Sequence, residues 1–206
     1  RAQRRGGRGV KGIEMREEDL IMDLFTASTH DYLLLFTNQG RVHRIKVYEL
    51  PVAERYGRGK HISTVVKLGK DEAITTTIPV KEFAEDKYLV LVTKRGVVKK
   101  TKLSEFDTPF KCIRAIRLKE GDVLVSALLT DGNTELIIGT KLGMALRFHE
   151  RDVRCMSRSA GGVIGIRLRS GDEVGSADIV TPGMGVLTIT ERGIGKRPKI
   201  EEYRVT

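Results

Sequence analysis

The chain has 206 residues, of which 40% are hydrophobic, enough to bury a sizeable core and to exclude a disordered tail. Aromatics make up only 5% and tryptophan is absent, so Val, Leu and Ile must build that core; the formal charge of +10 favours a polyanionic partner. No apolar run approaches the ~20 residues of a membrane span, and no apolar stretch of the signal-peptide kind follows the opening arginines.

The chain opens on Gln3-Arg4-Arg5-Gly6-Gly7-Arg8-Gly9. Arginine presents a planar fork of donors that suits phosphate oxygens. Glycine lets a backbone N–H approach the phosphate and permits positive φ. The run reads as a flexible phosphate clamp, although arginine-glycine stretches also occur in disordered RNA-binding segments. The charged stretch at 14–19, the one with any helical character, is expected to be a turn.

A unit then recurs four times: an apolar strand, Thr-x-x-Gly, and a second strand with a basic residue four positions after the glycine. Thr37, Gly40 and Arg44 form the first copy; Thr93, Gly96 and Lys100 the second; Thr140, Gly143 and Arg147 the third; Thr190, Gly193 and Arg197 the fourth. The glycines lie 56, 47 and 50 residues apart, the size of a propeller blade. Thr-x-x-Gly predicts a hairpin in which glycine takes the left-handed position of a bulged turn. Further strands are expected at 62–68, 73–80, 113–118, 123–129, 163–168 and 174–180. The expected fold is all-β with little helix: four-stranded antiparallel blades, about four of them, stacked around a centre. It reads as a single domain, or a fragment of one, with approximate repeats 1–52, 53–104, 105–155 and 156–206.

Positions two apart on a strand share a face, and the pairs Arg44/Lys46, Lys100/Lys102, Arg147/His149 and Arg197/Lys199 place a basic face on the second strand of every hairpin. The windows 40–46, 94–102, 141–147 and 192–199 hold three, five, two and four Lys or Arg and no Asp or Glu. Pro198 cannot donate to a ladder, which predicts that these basic strands lie at blade edges on the perimeter. Cations on edges also guard against aggregation, but that does not explain the matched register. The candidate phosphate-binding residues are Gln3, Arg4, Arg5, Gly6, Gly7, Arg8 and Gly9 in the clamp, and Arg44, Lys46, Arg58, Lys99, Lys100, Lys102, Arg147, Lys196, Arg197 and Lys199 on the rim. With no helix-turn-helix, zinc finger or aromatic platform in the sequence, the expected ligand is the backbone of duplex DNA rather than its bases.

Catalysis has little support. The segment 57–61 lacks phosphate-loop spacing, the four histidines lack metal-ligand spacing, and no tyrosine has a nucleophile's setting. No metal site is expected. Cys112 and Cys155 are expected to be buried reduced thiols, which favours a cytosolic location.

The clamp matches the box Gln-(Arg/Lys)-Arg-Gly-Gly-(Arg/Lys)-Gly, and along its whole length the chain resembles the family of C-terminal domains of the bacterial DNA gyrase A subunit. Partial echoes of the box stand at 55–59 and 159–162. The resemblance implies a β-pinwheel, a propeller-like disc whose blades exchange strands. It implies that the domain wraps duplex DNA around its rim with positive handedness, which enables gyrase to introduce negative supercoils, and that the box is needed for the wrap. It further implies a non-catalytic domain without cofactors of its own, ATP and magnesium being used elsewhere in the parent enzyme. Its partners would be the gyrase B subunit, in a heterotetramer, together with the rest of the gyrase A polypeptide, in the bacterial cytoplasm at the nucleoid. Members usually have six blades and often an acidic tail, whereas four units are counted here. The topoisomerase IV C-terminal domain, which guides DNA for decatenation, is the nearest alternative, but its box is eroded. A propeller-like protein-interaction scaffold is the alternative of another class.

Overall fold

The computed structural model describes residues 21, 23–54 and 57–206; the box, the 14–19 stretch and positions 55 and 56 of the first echo lie outside them. The described residues form thirteen strands and no α-helix. In chain order these are β1 (Tyr32–Thr37), β2 (Arg41–Lys46), β3 (Ile74–Val80), β4 (Tyr88–Thr93), β5 (Val97–Lys102), β6 (Cys112–Arg114) and β7 (Leu124–Thr130). They continue as β8 (Glu135–Thr140), β9 (Ala145–His149), β10 (Val163–Ile164), β11 (Val174–Val180), β12 (Thr188–Ile189) and β13 (Gly195–Lys196).

Each Thr-x-x-Gly forms a hairpin turn. The threonine carbonyl accepts from the glycine N–H at 2.9–3.1 Å, and the four glycines have φ between 72° and 83°. The sheets built on these hairpins draw strands from successive repeats. The first has the order β3-β1-β2-β6, the second β7-β4-β5-β10, the third β11-β8-β9 and the fourth β12-β13, with antiparallel pairing throughout. In the first two blades the inner strand thus comes from the repeat after the hairpin and the outermost strand from the repeat after that; the third blade takes its inner strand in the same way, and the fourth sheet holds its own hairpin strands. The inner strands β3, β7 and β11 lie side by side, β7 touching both others. All hairpin turns fall at one end of the strands, and 3-10 turns at Val47–Glu49, Leu103–Phe106, Glu150–Asp152 and Ile200–Glu202 fall at the other.

In the first three hairpins the first strand is buried on both faces because it stands between two cores, which is why it reads as a continuous apolar run rather than an alternating one; β12 of the fourth is exposed. Leu34 and Phe36 face the core shared with Leu89 and Leu91 of the second blade, while Val90 and Val92 face the core shared with Leu136 and Ile138 of the third. Each such side chain contributes roughly 1.5–3 kcal/mol on full burial.

A polar latch repeats beside these cores. In the first three blades the pairing of the hairpin with its inner strand shifts register beside the turn, at Phe36/Thr37, Val92/Thr93 and Val174/Ser176. This bulge brings an acid that precedes the inner strand up to the turn. Thr37 Oγ1 donates to Glu72 Oε1 and Thr93 Oγ1 to Asp122 Oδ2, both at 2.7 Å. The same hydroxyls accept from the backbone N–H of Arg41 and Val97. In the third blade Asp172 Oδ1 accepts instead from the Leu142 N–H at 3.0 Å.

Several expectations need correction. Residues 62–68 contain a 3-10 turn, Ile62–Thr64, instead of a strand, because Thr64 Oγ1 donates back to the His61 carbonyl and the His61 ring accepts from the Ser63 N–H. The strands expected at 113–118 and 163–168 shrink to β6 and β10, beyond which the chain bends over the hairpin glycines. The basic strands β2 and β5 are not edges; β6 and β10 lie outside them. Cys112 is only half-buried and Cys155 is exposed, since both sit on the outermost segments of their blades.

Candidate nucleic-acid interface

Strand exchange decides the fate of the basic residues on the second hairpin strand. The backbones of Arg44, Lys100 and Arg147 receive incoming chain: their partners are the Lys111 carbonyl and the N–H groups of Met156 and Thr206. Their side chains are largely spent on the paired strand and on the 3-10 turn of the following repeat. Arg44 pairs with Asp107 at 2.8 Å and sits 5.2 Å from the Tyr32 ring centroid and 5.6 Å from that of Phe83. Lys100, 7% exposed, donates to the Glu150 carbonyl at 2.8 Å beside the Tyr88 ring. Arg147 binds Glu135 at 2.6 Å and donates to the carbonyls of Ile200 and Tyr203.

Lys99 does not belong to a rim. It is fully buried, and its ammonium donates to the carbonyls of Ala115, at 2.6 Å, and Arg158. Burial pulls its pKa from 10.5 to about 8, with Arg158 adding to the fall and the acids Glu105 and Cys155 opposing it. It ties β5 to the segment that follows β6 and to the turn at Arg158. Burial likewise lowers the pKa of His43, which lies 3.8 Å from Cys112 Sγ.

The remaining rim residues reach solvent. Lys46 is half-buried, donates to the His30 carbonyl and stands 3.3 Å above the Tyr32 ring. Lys102 is exposed and 3.6 Å from Glu85. Arg58, Lys196, Arg197 and Lys199 are exposed. The box residues Gln3, Arg4, Arg5, Gly6, Gly7, Arg8 and Gly9 lie outside the described residues.

Sequence reasoning missed a second set of exposed cations, on the segments between β6 and β7 and between β10 and β11: Arg117, Lys119, Arg167 and Arg169. Their signal was available. Ile-Arg-Leu-(Lys/Arg) occurs at 116–119 and again fifty residues later at 166–169. Among the described residues no group of three His, Cys, Asp or Glu side chains could hold a metal ion, and no helix is long and apolar enough to cross a membrane.

The family described as DNA gyrase C-terminal domain, beta-propeller, matches residues 1–28, 31–81, 87–131, 134–181 and 186–206. The chain belongs to this family. The DNA gyrase A protein of Staphylococcus aureus strain NCTC 8325 is 44% identical over 210 residues, covering 100% of the chain and 24% of that relative; the domain thus spans about a quarter of the curated relatives it matches. A crystal structure of the C-terminal domain of DNA topoisomerase IV superposes with a TM-score of 0.87 at 33% identity, over 95% of this chain and 62% of that one. A DNA gyrase A C-terminal domain gives 0.74 at 29%, over 87% and 58%. The E. coli ParC C-terminal domain gives 0.69 at 17%, over 91% and 78%, a likeness of fold alone. The propeller-like, antiparallel architecture of this gyrase-family domain is common to all three.

Proposed function

We propose that this domain binds the backbone of duplex DNA along the basic outer margin of its blades and wraps it with positive handedness, so that the parent gyrase introduces negative supercoils. Family membership carries the reading, and the intact box at 3–9 favours gyrase over the decatenating alternative. The chemistry agrees. Among the described residues exposed Arg and Lys recur from blade to blade and there is no α-helix to enter a groove, which suits phosphate contacts that position a duplex without reading its sequence. Bending a short duplex through a right angle costs of order 1–6 kcal/mol, a cost that several arginine–phosphate contacts offset. The parent complex would supply ATP, magnesium and strand cleavage; the gyrase B subunit, with the rest of the gyrase A polypeptide, would be its partner, in the bacterial cytoplasm at the nucleoid. DNA contact would come from Gln3, Arg4, Arg5, Gly6, Gly7, Arg8 and Gly9, and from the accessible cations Lys46, Arg58, Lys102, Lys196, Arg197 and Lys199.

The test is titration of a labelled duplex over a salt series. If roughly ten phosphates are neutralised, log K falls against log salt with a slope of about −9. Failure to bind duplex at moderate salt would leave the protein-interaction scaffold as the better account.

A further inference from the structure

The two ends of the blades carry opposite charge. At the 3-10 end, the loops 81–87, 103–107, 150–152 and 200–202 hold nine Asp or Glu against three Lys or Arg. At the hairpin end, the segments 67–72, 94–95, 117–122, 141–142, 167–173 and 191–192 hold ten Lys or Arg against seven acids. Four of those acids are already engaged. Glu72, Asp122 and Asp172 accept from backbone N–H groups, and Glu173 pairs with both Lys94 and Lys141. Asp71, Glu120 and Glu191 remain as exposed acids.

The cations of the hairpin end are strung along it by the chain path. The N–H groups of Ala115 and Ile116 bind the Gly40 carbonyl in the first turn, and Asp122 Oδ1 accepts from the Arg95 N–H in the second. Residues 117–121 therefore bridge the first two turns. The next step repeats this: the N–H groups of Gly165 and Ile166 bind the Gly96 carbonyl, and Asp172 reaches the Leu142 N–H in the third turn, so 167–171 bridge the second and third. Arg117 and Lys119 thus occupy one gap, Arg167 and Arg169 the next, all four exposed.

Resting on the DNA-binding reading above, we propose that the duplex runs along the hairpin-turn margin of the blades rather than their mid-line, with Arg117, Lys119, Arg167 and Arg169 binding phosphates at the gaps between turns. A polyanion is drawn more strongly to this end than to the 3-10 end, where Lys46, Lys102 and Lys199 stand among acidic loops as the secondary contacts, so the charge asymmetry biases the duplex toward the hairpin side of the disc. The fifty-residue spacing gives one pair of phosphate contacts per blade step.

A salt series on duplex binding tests the placement. The quadruple variant Arg117→Ala/Lys119→Ala/Arg167→Ala/Arg169→Ala is expected to flatten the slope of log K against log salt by about 3–4. Lys81→Ala/Lys87→Ala, in the acidic 81–87 loop, is expected to change it by less than about 1. Arg117→Lys/Arg167→Lys is expected to keep the slope, which separates charge from packing. If the quadruple variant loses its cooperative melt, Lys119→Ala/Arg169→Ala is read instead, with an expected flattening of about 2. A folded variant with the wild-type slope overturns the margin placement while leaving DNA binding intact, whereas no binding by the unmodified chain overturns both.

Discussion

Replacing Lys99 with methionine gives the sharpest test of how the blades are pinned. In the folded chain the Lys99 ammonium is shut away from water, and burial lowers its pKa to about 8. In the unfolded chain it keeps an ordinary value of about 10.4. Between those two values the unfolded state binds the extra proton, so stability rises with pH across that window. Below it both states are charged, and confining the charge costs about 3 kcal/mol, from a shift of 2–3 units at 1.36 kcal/mol each. The neutral amine still donates to the Ala115 and Arg158 carbonyls, so deprotonation removes the desolvation cost without removing the tie. Urea unfolding of wild type and Lys99→Met at pH 7 and pH 10 measures the effect as a difference in which other titrations largely cancel. The difference is expected to move in favour of wild type by about 2–3 kcal/mol. A flat difference would refute buried confinement of the charge, and a movement in the opposite direction would mean that the carbonyls and Glu105 outweigh burial.

Two further sets of substitutions bear on the latch and the turns. Thr93→Val removes the donor to buried Asp122 and is expected to cost about 1–3 kcal/mol in urea melts. Thr101→Val, at a buried hydroxyl with no hydrogen-bond partner among the described residues, is expected to stabilise by up to about 1 kcal/mol. Gly96→Ala should be far worse than Gly143→Ala in thermal melts. Both have positive φ, but a Cβ at Gly96 would stand 2.6 Å from the Ile166 carbonyl oxygen, while one at Gly143 meets nothing within 4 Å. Equal costs at the two glycines would refute the close crossing of the exchanged segment.

The hairpins were legible because Thr-x-x-Gly is local: the threonine, the turn and the glycine lie within four residues, and the glycine's φ follows from the turn itself. The latch acids were not. Gly121-Asp122 and Gly171-Asp172 read as turns, and nothing local says that Asp122 reaches a hydroxyl 29 residues upstream through a bulge. The resemblance implied strand exchange, but which segments exchange was hidden for a related reason: β6 and β10 are only three and two residues long, and their partners belong to hairpins two repeats earlier. Lys99 shows the limit of alternation. The period of two puts Lys99 and Lys100 on opposite faces of β5 but cannot say that both are buried once exchanged chain covers the strand. Arg117 and Arg167 stand out less in the sequence because the charge density is highest on the hairpin strands, and only the fold strings them along one margin.

If the domain imposes a handed path on duplex DNA, linking number reads it directly. Nicked circular DNA is ligated in the presence of the chain, and the topoisomers are resolved after the protein is removed. A positive shift is expected, and it disappears in the Arg4→Ala/Arg5→Ala/Arg8→Ala variant. Binding without any shift, or with a negative one, would contradict the handed path.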